Sequence, residues 1–301
     1  MLEYYVEEYN FLPQKKNLTG KNAIEAVKEN IDNIFFIKKF DEAMAIEILS
    51  NYGLCLPIIP NQTKQMCLTA VKQNYKALQF VHEQDDDICI AALKTNWKAI
   101  HYIREQTPKI VDEAIRQSWE ALEFIISPKK QNLIEAIRQD PKSLLFLPTN
   151  PNEEMSLIAV QQDGMALQHI PGRNQNKKIC TIAIIQNPNA IKYAKYQNDD
   201  ICIESVKNNG LNLRYIKKQN QKICEAAISN NPEAIKYVFK QNEALNKLAV
   251  SLDGETLKYI HNQTLEICNI AVSQRIFALK YVSDDIINNS NKKGFLNKFF
   301  K

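Results

Sequence analysis

The sequence predicts an all-α fold, an α-solenoid or superhelix of about twelve short helix-pair repeats, on three observations. A 22-residue period runs through nearly the whole 301-residue chain, and such self-similarity marks units that bury their apolar faces only by stacking on one another. Each period holds two stretches of helical apolar spacing, each preceded by a helix-capping residue. Only seven residues are glycine, which argues against phosphate-cradling loops and Gly-rich all-β folds.

The period is marked by the small residue that precedes a β-branched residue or leucine. The marks are Ala26, Ile48, Ala70, Ala92, Ala114, Ala136, Ala159, Ala183, Ser205, Ala227, Ala249 and Ala271. Nine of the eleven steps are 22 residues, and the exceptions, 23 and 24, flank Ala159. Twelve units then span about residues 18 to 283. Residues 1–17, with Tyr4, Tyr5, Val6, Tyr9, Phe11 and Leu12, read as an N-terminal cap. N-terminal repeats follow over 18–147 and C-terminal repeats over 179–283. The irregular stretch 148–178, with Pro148, Pro171 and Gly172, is expected to bend or hinge. Residues 284–301 read as a tail with a basic-aromatic end, covering the last repeat or docking to a partner or membrane surface.

Within a unit, Ile223, Cys224, Ala227 and Ile228 share one side of a helix of about ten residues. Ahead of such helices stand Thr63, Asp85, Thr107, Asn198, Asn220, Asn242 and Thr264, whose side-chain oxygens can accept from first-turn amides. A second helix of about seven residues is expected from Ala234, Ile235 and Val238. It begins at Asn231-Pro232, as others do at Asp140-Pro141 and Asn187-Pro188. A leucine-rich-repeat-like horseshoe is the alternative, since its period also includes 22 and Leu-x-Tyr-Ile could form a strand.

Residue types that recur at one phase are explained first by packing. Cys67, Cys89, Cys180, Cys202, Cys224 and Cys268 fall on the buried face of the first helix. They are read as small core residues, because packed helices lie about 8–10 Å apart, beyond disulfide reach. Gln62, Gln84, Gln106, Gln175, Gln197, Gln219, Gln241 and Gln263 precede the first cap, where they are expected to bond the backbone of neighbouring turns. Pro128 and Pro151 break that series. An aromatic recurs at Phe80, Tyr102, Phe124, Phe146, Tyr193, Tyr215, Tyr237, Tyr259 and Tyr281. It reads as an amphipathic plug, with base stacking as the alternative. Glu83, Asp85, Asp86 and Asp87 read as a solvated turn.

One recurrence has no evident packing role. Lys192, Arg214, Lys236, Lys258 and Lys280 share an exposed phase on five consecutive second helices. Residues 1–150 carry 18 basic and 20 acidic side chains, whereas 151–301 carry 20 and 14. The charge is thus polarised, and a basic row is expected that could meet an acidic protein surface or a nucleic-acid backbone.

Signals of catalysis are sparse. The chain has no Gly-x-Gly-x-x-Gly, phosphate loop, Cys-x-x-Cys or nucleophile motif, and His82, His101, His169 and His261 follow no metal-ligand spacing. No cofactor, metal or catalytic residue is assigned. No apolar run is long enough to span a membrane, and the acidic start MLEYYVEEYNF is unlike a signal peptide. An intracellular, cytoplasmic protein is therefore expected.

The repeated Gln-Thr-x-x-Ile-Cys-x-x-Ala-Val-x-x-Asn-Pro-x-Ala-Leu-x-Tyr-Ile resembles a repeat family of unknown function in giant amoebal DNA viruses (mimivirus-like) and Legionella-type intracellular bacteria. The resemblance covers residues 60 to 283 well and 18 to 59 loosely, and its closest copies are 231–238 and 263–272. It implies no activity and no catalytic residues. It does imply a virus or parasite acting on its host, with the host cytoplasm or a virion as the place. The expected function is a non-enzymatic scaffold or adaptor that binds another protein, of unassigned identity, through Lys192, Arg214, Lys236, Lys258 and Lys280. A nucleic-acid-binding solenoid using the same row is the first alternative, and an enzyme with a site at 148–178, where Arg173, Lys177 and Lys178 lie, is the second.

Overall fold

Ten residues of apolar helical spacing behind a cap are enough for nearly three turns, and this unit recurs throughout the computed structural model, which describes residues 18–289. The chain divides into two compact units, 1–139 and 140–301. In the first unit the α-helices are α1 Gly20–Glu29, α2 Glu42–Asn51, α3 Lys64–Gln73, α4 Asp86–Thr95, α5 Pro108–Gln117 and α6 Lys130–Gln139. In the second they are α7 Glu153–Gln162, α8 Lys177–Gln186, α9 Asp199–Asn208, α10 Gln221–Asn230, α11 Glu243–Leu252, α12 Leu265–Gln274 and the short α13 Asp284–Asn289. Each of α1 to α12 spans ten residues and carries one mark of the 22-residue period. Within each unit, helices pack on their own repeat and on the adjacent ones. The fold is an α-solenoid of repeats.

The marks explain the period. Ala70, Ala92, Ala114, Ala136, Ala159, Ala183, Ala227, Ala249 and Ala271 are fully buried, each followed by a buried Val, Leu or Ile. A methyl group there allows close helix approach, while the larger neighbour fills the space between layers. Six of the seven expected caps accept from the amide three residues on: Thr63, Asp85, Asn198, Asn220, Asn242 and Thr264. Thr107 holds the cap position without that bond. Its hydroxyl donates to Asp86 Oδ1 at 2.7 Å, and Pro108 begins the helix.

The second half of each repeat differs from the expected seven-residue helix. It is a six-residue 3-10 helix, as in Pro188–Tyr193, Gly210–Tyr215, Pro232–Tyr237 and Gly254–Tyr259. The residue before it, Asn187, Asn209, Asn231 or Asp253, accepts from the amide two residues on. That bond tightens the entry. The exit amide, such as Val238 N, reaches back three residues to Ile235 O, so the segment closes as 3-10 before an α-turn can propagate. The horseshoe alternative fails here, because it needs a strand in this position. Among the described residues the only β geometry is an isolated bridge between Leu18 and Ile37.

The stretch 148–178 keeps the helix pair, α7 with Gly164–His169, and places its additional residues in a one-turn 3-10 helix, Gly172–Asn174. The N-terminal cap 1–17 and residues 290–301 of the tail lie outside the described residues.

Candidate interaction surface

The recurring glutamines form an amide clamp that joins the turn ahead of each helix pair to the turn that follows it. In all eight, Nε2 donates to the carbonyl 18 residues on, and Oε1 accepts from the amide 20 residues on, at 2.8–3.2 Å. The carbonyl belongs to the aromatic residue that ends the next 3-10 helix. Without a side chain in this place, one donor and one acceptor would go unpaired at each such turn. The sequence carries a matching signature. Where Phe40, Pro128 and Pro151 stand in place of glutamine, the residue 20 on is Pro60, Pro148 or Pro171, which has no N–H to satisfy.

The cysteines join this clamp. The thiols of Cys67, Cys180, Cys224 and Cys268 point to Oε1 of Gln62, Gln175, Gln219 and Gln263 at 3.5–3.9 Å, which explains a weak donor at this phase. All seven cysteines are buried and free of disulfides. Burial pushes their thiols up, to about 11 for Cys89, Cys202 and Cys268. Because the thiolate is the reactive form, a thiol reagent at pH 8 should label the native protein slowly and all seven cysteines at once on denaturation. Rapid labelling of the native state would refute this assignment. The raised values also set a sign: stability is full below the unfolded thiol range and is lost as pH rises between about 9 and about 11.

The five predicted basic residues lie in the second unit. Lys192, Arg214, Lys258 and Lys280 are exposed, and Lys236 is partly covered. Each cation rests over the ring of the tyrosine that follows it. Lys192 lies 5.2 Å from the centre of Tyr193, Arg214 4.6 Å from Tyr215, and Lys236 5.3 Å from Tyr237. Lys258 is 4.8 Å from Tyr259 and Lys280 4.7 Å from Tyr281. Two of them also reach the ring of the next repeat, Lys192 to Tyr215 at 6.0 Å and Lys236 to Tyr259 at 5.4 Å. At exposed sites each such contact contributes about 0.5–1 kcal/mol, enough to bias long side chains toward one orientation.

One carboxylate enters this column. Glu233 bonds Lys236 Nζ at 2.9 Å and lies 3.8 Å from Lys258 Nζ. The bond holds Lys236 above the usual lysine range and Glu233 below the usual carboxylate range. Glu255, at the same phase one repeat on, is drawn instead to Arg275 at 3.2 Å. Among the described residues no ion pair involves Lys192, Arg214 or Lys280. Sequence reasoning found the column but missed its pairing with the tyrosines, although each Lys-Tyr or Arg-Tyr dipeptide was visible.

The corresponding face of the first unit has another character. Tyr75 and Tyr102, and Trp97 and Phe124, approach with ring centres 6.3 Å apart, and His101 meets Phe124 edge-on at 4.1 Å. The acidic turn at 83–87 is tied as well as solvated. Lys64 bridges Asp85 and Asp87, which hold it up to about 12. Burial lowers His169 from its ordinary value. Among the described residues no group of three or more His, Cys, Asp or Glu side chains is arranged to hold a metal ion. None of the described helices is long and apolar enough to cross a membrane.

Stacked helix pairs, interlocked by amide clamps and presenting a column of cations over tyrosines, define a helical repeat protein. Three stretches, residues 63–107, 152–197 and 198–241, match a family described as Domain of unknown function (DUF4116). No curated protein and no solved structure matches the chain.

Proposed function

We propose that this protein is a non-enzymatic scaffold or adaptor that binds another protein through the column Lys192, Arg214, Lys236, Lys258 and Lys280. The observation that carries the reading is the repetition of a cation at one phase of five successive repeats, exposed in four and partly covered at Lys236, each resting on a tyrosine. A surface whose side chains are already ordered loses little conformational entropy on binding, and its single sign of charge steers an acidic partner toward it. The setting implied by the resemblance, a virus or parasite acting on its host, accords with a binding role.

The test replaces all five residues by Glu and compares capture from host lysate, with and without nuclease. Circular dichroism checks that the exposed substitutions leave the helices intact. A protein held by the wild type after nuclease should be lost at least about tenfold on reversal. Undiminished capture by the reversed variant would refute the reading, and retention of nucleic acid alone would replace it with the nucleic-acid alternative.

A further inference from the structure

The position of Glu233 shows how an anion sits on this column. Its two oxygens face the ammonium groups of consecutive repeats, Lys236 and Lys258, so one carboxylate fits between two rungs. The residues at the same phase in the two preceding repeats are Asn189 and Leu211. Neither can supply a carboxylate, which leaves the Lys192–Arg214 and Arg214–Lys236 intervals for one from outside.

The spacing constrains that partner. Packed helices lie about 8–10 Å apart, so rungs one repeat apart should share that step. A β-strand places side chains three residues apart on opposite faces. A polyproline-II segment has three residues per turn and a rise of about 3.1 Å per residue, which returns a side chain to the same face every ~9.3 Å. The column is less suited to nucleic acid. Each ring already has one of the protein's own cations over it, which competes with base stacking there, and Glu233 interrupts the track that a continuous polyanion would follow.

We propose that the column is a carboxylate ladder for an extended acidic segment of a partner protein, held as a polyproline-II helix with Asp or Glu at every third residue and each carboxylate between two successive rungs. The inference rests on the protein-binding reading of the same column and adds the chemistry and register of the partner. Glu233 then acts as an internal competitor at one interval.

The test uses the full chain and fluorescein-labelled peptides of about 13 residues, long enough to span five rungs at ~3.1 Å per residue. Three peptides share one composition, with Glu at every third position, at every second position, or in one block. Fluorescence anisotropy should show the period-three peptide binding at least about fivefold tighter than its isomers. Glu233→Gln should tighten it several-fold by freeing two rungs, whereas Asn189→Glu should weaken it by adding a competitor. Equal affinity for the three isomers, no gain with Glu233→Gln, or tighter binding of a single-stranded RNA of similar length would overturn the proposal. If the peptides fail while a captured protein is still lost on five-fold reversal, the ladder falls and the protein-binding reading stands. If the reversed variant captures that protein undiminished, the reading itself falls.

Discussion

Gln241→Leu is expected to destabilise the protein by about 2–3 kcal/mol, and His261→Pro is expected to cost far less in that background than in the wild type. Gln241 Nε2 donates to Tyr259 O at 2.8 Å, and its Oε1 accepts from His261 N at 3.2 Å. Leucine occupies similar volume but leaves both backbone groups unpaired where the repeat interface restricts water. Each unsatisfied group costs about 1–3 kcal/mol when buried; both lie at a partly exposed edge, which sets the lower end. Proline at 261 removes the N–H that the clamp satisfies. The backbone can accept it, because Ile260 is extended at φ −89 and ψ 118, the conformation favoured before proline, and Pro60, Pro148 and Pro171 already occupy this phase. In the wild type, His261→Pro strands Gln241 Oε1; in the Gln241→Leu background no acceptor remains to be stranded. Urea denaturation of the four proteins measures the coupling. Additivity within about 0.5 kcal/mol would mean that the glutamines do not clamp these turns.

The double-mutant cycle reproduces a substitution pattern already present within the chain, and this shows which features were legible. The 22-residue period, the helix caps and the backbone role of the glutamines follow from sequence, because each rests on local chemistry repeated many times. The joint loss of glutamine and of the amide 20 residues on was also written there, at Pro151 and Pro171. It became readable only when the structure placed Gln197, ahead of the first helix of its repeat, against Tyr215 and Lys217 at the end of the second. The 3-10 form of the second helix was not legible. Over six residues, apolar positions at i, i+1 and i+4 suit a 3-10 turn as well as an α-turn, and the exit bond that decides lies in the backbone. Thr107 holds the cap position that its type predicts but lacks the side-chain bond, and its donation to Asp86 does not explain this, because Thr63 donates to Glu42 in the same way and still caps. For the candidate surface, the exposure of Lys192, Arg214, Lys258 and Lys280 was legible from phase, but the partial cover of Lys236 was not. The bridging of Lys192 and Lys236 to tyrosines one repeat away, and the seat of Glu233 between two rungs, depend on stacking that no single repeat encodes.

The second large effect is expected at Gly254, where alanine should cost about 2–4 kcal/mol, while Gly172→Ala should be neutral or slightly stabilising. A Cβ at Gly254 would stand 2.3 Å from Ala271 O and 3.0 Å from Gln274 Oε1. The carbonyl cannot rotate away freely, since it accepts from Arg275 N at 2.9 Å at the end of α12. Gln274 cannot withdraw without cost either, because its Oε1 accepts from Gly254 N at 2.7 Å and its Nε2 donates to Leu252 O. Relief would require opening the interface between two repeats, with loss of these bonds. Where Pro232 stands at this phase, the residue 20 on is Leu252, in place of the amide side chain that meets Gly210 and Gly254. At Gly172 the nearest atom is Lys195 Cδ at 3.8 Å, an ordinary contact, so alanine there acts mainly by restricting the unfolded chain. The pair separates the two roles of glycine. Equal destabilisation by both substitutions would point to backbone freedom, whereas a loss confined to Gly254→Ala, with faster amide exchange at α12, identifies the close approach of successive repeats as the constraint. Such an approach is available only where one repeat presents no side chain and the next supplies an amide to meet the exposed N–H.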